Sequence, residues 1–144
     1  MGMLEGVIIT PLKEIYNEKG NILHIIKSND ETFINFGEAY FSEINFGKIK
    51  GWKKHTIMFL NLVVPIGEIK FVLFDDRENS KSYGKFWEVI IGRSNFQRLT
   101  VPPGIFIAFQ GLCTDLNMLI NIASIPHDPT ESLNKDLSEI PYLW

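Results

Sequence analysis

The chain has few of the residues that would place it outside the cell or in a membrane. Cys113 is the only cysteine in 144 residues, which excludes an internal disulfide and fits a reducing compartment. No apolar run approaches the roughly 18 residues that a membrane span needs. The first residues carry no basic segment ahead of their short apolar run, so no signal peptide is expected. These features predict a cytoplasmic protein that has no membrane partner.

Positive charge is also scarce. Lys and Arg number 14 against 17 Asp and Glu, and a net charge of -3 gives no general attraction to nucleic acid. The chain contains no glycine-rich phosphate loop, no CxxC and no Ser-His-Asp arrangement. A hydrophobic content of 45% with 22% charged residues is typical of a globular protein. The length predicts one domain over residues 1–144, with no nucleic acid partner.

Short apolar segments, rich in β-branched and aromatic residues, alternate with turns of Gly, Pro, Asn and Asp, which is typical of strands. Strands are expected at residues 7–10, 21–26, 32–37, 38–44, 57–64, 69–74, 86–91, 99–101, 105–110 and 116–123. Residues 126–144 are predicted to form an ordered tail packed on the body, with a turn of helix near residues 132–137. The pattern predicts an all-β fold, and an antiparallel jelly-roll barrel fits it best.

Residues 50–77 hold the most informative stretch. Two apolar runs flank a Pro-Ile-Gly-Glu turn, which predicts a hairpin of residues 57–64 and 69–74 that forms one wall of the barrel. Alternation along a strand places Lys53 and His55 on one face and Lys54 on the other. Lys53, His55 and Arg77 are predicted to face a cavity behind Trp52.

Six segments in order resemble the dTDP-4-dehydrorhamnose 3,5-epimerase family, in its short, divergent branch. They are FGEAYFS (36–42), IKGW (49–52), GEIKFVLFDDR (67–77), SYGKFWEVIIG (82–92), SNFQRLTVPPG (94–104) and IPYLW (140–144). The resemblance covers residues 36–144. It implies a cupin-type jelly roll that acts on a nucleotide sugar carrying a 4-keto deoxysugar, in the synthesis of surface polysaccharide such as lipopolysaccharide or O-antigen.

The chain departs from the family's pattern where the chemistry is expected. In the family, a histidine directly follows an Arg-Gly-Leu or Lys-Gly-Trp segment and serves as the base; here that position is Lys53, and the nearby histidine is His55. The family's lysine corresponds to Leu60. Its two tyrosines correspond to Asn121 and His127.

The resemblance implies a set of site residues. Lys53 and His55 are the candidate catalytic residues, because such a reaction needs a base and a cation near an enolate oxygen. The candidate substrate-binding residues are Lys50, Trp52, Arg77, Glu38, Asn121 and His127. Structural alternatives stay open: a solvated strand-edge lysine at position 53, an internal ion pair of Arg77 with its acidic neighbours, and a packed aromatic core that includes Trp52.

Neither a metal nor another cofactor is predicted. A cupin metal site needs two histidines close together and a third on a later strand, and here the third position is Ile107. Three functions remain open: an active epimerase or isomerase, a catalytically inactive relative that binds a nucleotide sugar or a partner enzyme, and a 3,4-ketoisomerase. A homodimer is expected, from the resemblance and because open sheet edges favour pairing.

Overall fold

The computed structural model describes residues 2–144. Within that range it contains twelve β-strands and one short 3-10 helix. The strands are β1 (Ile8–Pro11), β2 (Glu14–Ile15), β3 (Ile22–Leu23), β4 (Glu38–Glu43), β5 (Ile49–His55), β6 (Leu60–Ile66), β7 (Glu68–Asp75), β8 (Phe86–Gly92), β9 (Gln97–Val101), β10 (Ile105–Gly111), β11 (Met118–Ala123) and β12 (Ser132–Asn134), and the helix covers Leu137–Glu139. No helix in residues 2–144 has the length and apolar character needed to cross a bilayer.

Two five-stranded sheets pack face to face. The first has the order β1-β9-β6-β11-β4 and the second the order β12-β5-β10-β7-β8, while β2 and β3 form a separate small hairpin. The paired strands within both sheets run antiparallel. Most neighbours in a sheet are distant in sequence. The antiparallel jelly roll predicted from the sequence is confirmed.

Side-chain alternation builds the core between the sheets. In β7, Phe71 and Leu73 point inward and are fully buried, and in β6 Leu62 and Val64 do the same from the facing sheet. Both strands are also covered on their outer faces, which explains why each reads as an almost unbroken apolar run.

The carboxyl-terminal tail covers the outer face of the second sheet. A second apolar cluster forms there from Trp52, Val72, Phe106, Ala108 and Ile140, with Phe74, Phe86, Tyr142 and Trp144 packed against it. The prediction that residues 126–144 pack on the body is confirmed. Because Trp52 and Lys54 point toward this cluster, the intervening Lys53 points into the space between the sheets.

The predicted hairpin of residues 57–64 and 69–74 is wrong. β6 pairs with β9 and β11 in the first sheet, whereas β7 pairs with β10 and β8 in the second. The turn at Gly67 therefore passes the chain from one sheet to the other. Its φ of 78° and the closeness of the Leu116 carbonyl and the Asn117 side chain leave no room for a Cβ.

Three smaller expectations are also corrected. Residues 132–134 form strand β12 on the edge of β5, and the helical turn lies further on at Leu137–Glu139. Residues 32–37 contain no strand. Only Ile22–Leu23 of the predicted strand 21–26 pairs, with β2. In each case the tertiary partner, rather than local composition, decides the conformation.

Candidate active site between the sheets

A cavity of about 430 Å³ opens between the two sheets. The second sheet supplies its basic wall through β5, and the first sheet supplies the facing wall through β4, β6 and β11. The polar lining side chains are Glu38, Tyr40, Ser42, Lys50, Lys53, His55, Asn121 and His127. The apolar ones are Met58, Leu60, Leu62, Ile107, Phe109 and Leu119. Six of the eight predicted site residues therefore meet in one cavity.

A β-bulge in β5 brings two lysines to the same wall. Lys53 lies opposite Ile107 of β10, and Lys50 lies opposite Phe109. Between these two pairs β5 contains one residue more than β10. Residues at positions 50 and 53 would face opposite sides of a regular strand. The extra residue at Gly51–Trp52 lets Lys50 and Lys53 both line the cavity.

His55 is held by a buried carboxylate. Its Nδ1 lies 2.7 Å from Oε1 of Glu131, and the Glu131 side chain is only 2% exposed. The other carboxylate oxygen accepts the backbone N–H groups of Thr56, Ile57 and Met58 at 2.8–2.9 Å. An ionised carboxylate only accepts, so in the neutral imidazole Nδ1 carries the proton and Nε2 keeps its lone pair for a base.

The surroundings of Glu131 favour its charged form. Burial raises the pKa of the carboxyl, but the hydrogen bonds from His55 and from the backbone of Met58 and Ile57 outweigh burial and bring the pKa to about 2. The usual value is 4.5. Glu131 is therefore ionised at any pH where the protein is expected to work.

We predict that this carboxylate makes stability depend on acid. Because its pKa is lowered on folding, Glu131 stabilises the fold fully above pH 4.5, and this contribution is lost as the pH falls toward about 2. Glu131→Gln should therefore lower Tm at pH 7, and the gap to the wild type should close as the pH approaches 2. Thermal melts from pH 7 to pH 2 measure the gap. Glu18→Gln, an exposed carboxylate in a turn, is the control. A gap that stays constant with pH would contradict the assignment.

Lys50 spans the two sheets. Its Nζ donates to Oγ of Ser42 at 2.9 Å and to the carbonyl oxygen of Glu43 at 2.7 Å. The same ammonium group lies 5.8 Å from the ring centre of Phe109. The side chain is thus fixed on the open side of the cavity, where it offers positive charge to an anionic group.

Tyr40 and Asn121 form the polar part of the opposite wall. They are register partners on β4 and β11, and Nδ2 of Asn121 donates to the Tyr40 hydroxyl at 3.1 Å. This contact leaves the hydroxyl proton of Tyr40 free to donate. Asn121 is 1% exposed, and its Oδ1 is a buried acceptor without a partner in the described chain. The pair therefore offers one donor and one acceptor to a bound molecule.

Trp52 does not line the cavity, contrary to its place among the predicted substrate-binding residues. It is 1% exposed on the outer face of β5, with ring centres 6.4 Å from Phe86 and 6.1 Å from Trp144. Strand alternation turns it away from the face shared by Lys53 and His55. Trp52 therefore belongs to a packed aromatic core, which is the structural alternative given in the sequence analysis.

Arg77 does not face the cavity either, which corrects that expectation. It lies just beyond β7, and its Nε and Nη2 bind the two carboxylate oxygens of Asp75 at 2.8 and 2.9 Å. Asp75 is fully buried and also accepts hydrogen bonds from Ser80 and Ser82. Burial raises the pKa of Asp75, but these hydrogen bonds lower it well below its usual range. The carboxylate of Asp75 therefore balances the positive charge of Arg77, and this charge is not directed toward the cavity.

The sequence interpretation missed two residues of the site. Tyr40 shares a strand face with Glu38 and Ser42, so alternation within the quoted segment FGEAYFS was a usable signal. Glu131 lies 76 positions from His55, and no local pattern indicates their contact. Within residues 2–144, no group of three or more His, Cys, Asp or Glu side chains is arranged to hold a metal ion.

The comparisons with known proteins agree with this architecture. No family model matches the chain. A solved dTDP sugar isomerase from Desulfovibrio desulfuricans G20 is 34% identical, with a TM-score of 0.94, over 100% of this chain and 95% of that one. Identity at this level over the whole fold establishes the relationship. The chain belongs to the dTDP-4-dehydrorhamnose 3,5-epimerase family of cupin-type jelly rolls.

Two curated relatives are named for the biosynthesis of a glycan or a polysaccharide. Agl13 of Haloferax volcanii, a probable low-salt glycan biosynthesis epimerase, is 26% identical over 99% of this chain and 90% of its own length. SpsL of Bacillus subtilis, a spore coat polysaccharide biosynthesis protein, is 24% identical over 97% of this chain and 91% of its own length. The chain is thus similar along its whole length to proteins of glycan assembly.

Proposed function

We propose that the protein is a sugar-nucleotide epimerase that acts on a 4-keto deoxysugar in the synthesis of a surface polysaccharide. The observation that carries the proposal is the distribution of groups around the cavity. His55 with Glu131 and Lys53 stand on one wall, and the Tyr40 hydroxyl stands on the other. Epimerisation beside a ketone needs a base and an acid on opposite sides of the ring, with a cation near the oxygen.

Each wall has a role in this reaction. Nε2 of His55 removes the proton from the carbon next to the ketone, and ionised Glu131 stabilises the imidazolium that forms. Lys53 lies two residues away on the same face and balances the charge that develops on the ketone oxygen. Tyr40, oriented by Asn121, returns a proton from the opposite side.

The open side of the cavity suits the nucleotide. Lys50 and His127 are both exposed and both line the cavity, so they are placed to contact a diphosphate. Glu38 also lines it and can accept hydrogen bonds from hydroxyl groups of the sugar. The relative with 34% identity is a dTDP sugar isomerase, which supports a dTDP-linked substrate for this chain.

Solvent exchange tests the proposal. The protein is incubated in deuterated water with dTDP-, GDP- and CDP-linked 4-keto deoxysugars, and ring deuterium and configuration are followed by mass spectrometry and NMR. We expect deuterium at a carbon beside the ketone, with inversion, for at least one of these substrates. Tight binding without exchange would instead identify a catalytically inactive binding protein. The formation of a 3-keto product would identify a 3,4-ketoisomerase.

We also propose that the protein works as a homodimer. Strand β4 is an edge of the first sheet, and on and before it Phe41, Phe36 and Ile34 are 65%, 61% and 51% exposed. A second copy would cover this apolar edge. Light scattering should report the mass of two chains, and the mass of one chain would contradict this assembly.

A cytoplasmic location is proposed on the basis of cysteine usage. Cys113 is free, and a chain with one cysteine needs no oxidising compartment to fold. Fractionation of the source cells, followed by detection with an antibody, tests this location. Recovery with the outer surface or the medium would contradict it.

A further inference from the structure

In the part of the chain that the structure describes, Lys53 differs from the other lysines of the second sheet because its side chain has no hydrogen-bond or ion-pair partner. Lys50 is bound to Ser42 and to the Glu43 carbonyl, and Lys54 forms an ion pair of 2.6 Å with Asp76. Among the described residues the Lys53 side chain makes no hydrogen bond or ion pair, although it lines the cavity between the sheets. Its amine is therefore available to react with a bound molecule.

The Lys53 side chain lies beside apolar groups as well as beside polar ones. Its register partner is Ile107, and Leu60, Leu62 and Leu119 supply further apolar surface in the same cavity. A lysine amine that faces a ligand cavity without a partner can act as a nucleophile toward a carbonyl carbon.

We infer that Lys53 forms an imine with the ketone carbon of the substrate, in place of balancing the charge on the ketone oxygen, an inference that rests on the proposed function. Nε2 of His55 takes one proton from the Lys53 ammonium group, and the amine so formed attacks the ketone carbon. A C–N bond forms while a second N–H proton passes to the oxygen, which gives a carbinolamine. His55 then gives its proton to the same oxygen, the C–O bond breaks and water leaves, so the iminium keeps the positive charge of the original ammonium group. The resulting iminium draws electrons from the adjacent C–H bonds. His55 then takes one of these protons to give an enamine, and Tyr40 returns a proton from the other side. Hydrolysis of the imine restores the amine and releases the product ketone.

The geometry allows one sugar ring to meet both groups. Lys53 and His55 stand two residues apart on one face of β5, which separates their Cα atoms by roughly 7 Å. The flexible four-carbon stem of lysine spans part of this distance. An iminium at the ketone carbon makes the C–H bonds of the neighbouring ring carbons more acidic. These bonds lie within reach of His55, and the contact with Glu131 holds the imidazole ring in place.

Reductive trapping tests the inference. The wild-type protein is incubated with a dTDP-linked 4-keto-6-deoxyhexose and sodium cyanoborohydride near neutral pH, where imines are reduced in preference to ketones. We expect a mass increase equal to the substrate less one oxygen atom, which peptide mapping assigns to Lys53. In water enriched in ¹⁸O, the protein should also accelerate exchange of the ketone oxygen, because imine formation and hydrolysis replace that oxygen.

Two variants separate this chemistry from the charge of the lysine. Lys53→Arg keeps the cation but cannot form the imine, and it should lose the adduct and the ketone-oxygen exchange while its Tm stays near that of the wild type. Lys54→Arg is the matched control because Lys54 points to the other face, and it should keep both signals.

The outcomes distinguish the inference from the proposed function. An adduct at Lys53 together with enzyme-accelerated oxygen exchange supports the imine, even without help from variants. Ring deuterium exchange without adduct or oxygen exchange overturns the imine and leaves the epimerase proposal standing. The absence of ring exchange, oxygen exchange and adduct across the whole set of dTDP-, GDP- and CDP-linked ketones overturns both.

Discussion

Replacement of His55 by alanine is expected to reduce ring-proton exchange by about 10²–10⁴-fold, the usual contribution of a positioned general base. The physical reason is the contact of 2.7 Å between Nδ1 and Glu131, which leaves Nε2 as the proton acceptor in the cavity. Binding of the nucleotide sugar should change little, because the diphosphate is expected to contact Lys50 and His127. The rate of deuterium incorporation at saturating substrate measures the loss.

Two companion variants sharpen this prediction. His24→Ala removes an exposed histidine outside the cavity and should leave the exchange rate unchanged. Tyr40→Phe removes the proposed acid but not the base, so it should still exchange ring protons while inversion is lost. Full activity in His55→Ala would contradict the assignment of the base. Equal loss of exchange and inversion in Tyr40→Phe would contradict the division of roles between the two walls.

Replacement of Trp52 by alanine is expected to destabilise the fold by about 3–5 kcal/mol, the range for a large buried aromatic side chain. Trp52 is 1% exposed and packs between Phe86 and Trp144 on the face of β5 that points away from the cavity. For a domain of this size the loss corresponds to a fall in Tm of roughly 10 °C. Denaturant titration gives the free energy of unfolding directly.

Trp52→Phe is the control that separates packing from substrate contact. Among residues 2–144 the Nε1 of Trp52 has no hydrogen-bond partner, so replacement by phenylalanine removes side-chain volume but no hydrogen bond. We expect this variant to lose less stability than Trp52→Ala and to keep both kcat and KM. A large rise in KM with stability intact would show that Trp52 contacts the substrate after all.

Local periodicity predicted the parts of the site that depend only on strand geometry. Alternation placed Lys53 and His55 on one face and Lys54 on the other, and the structure has them so. Continuous apolar runs correctly indicated buried strands, which become β6 and β7. The jelly roll followed from the number and spacing of such segments.

Long-range contacts decided the features that the sequence could not predict. A continuous apolar run does not indicate which sheet its strand joins. The sequence therefore predicts a hairpin of β6 and β7, although the two strands lie in opposite sheets. The bulge in β5 inserts one residue and so turns the Lys50 side chain to the face that lines the cavity. The only sequence signal for this bulge is Gly51, a glycine inside a strand. The sequence around Arg77 is compatible with contact to a ligand and also with an ion pair to Asp75. The structure has the ion pair, because the buried carboxylate of Asp75 needs a partner for its charge.

The resemblance places the family's histidine at position 53, and the proposed function places the base at His55 instead. Strand β12 runs beside β5 with Ser132 opposite His55, and this pairing brings the adjacent Glu131 to the imidazole. Three backbone N–H groups then hold the carboxylate. In the proposed mechanism His55 with its buried carboxylate serves as the base, and Lys53 is then assigned a different role.

A crystal structure with a bound dTDP-linked 6-deoxyhexose that lacks the ketone tests the central claim most directly. The account predicts the sugar ring between the β5 wall and the β4–β11 wall, with C3 or C5 about 3–3.5 Å from Nε2 of His55. Tyr40 should contact the opposite face of the ring, and Lys53 should lie nearest to C4. A sugar bound outside the cavity, or a ring beyond the reach of His55, would contradict the account.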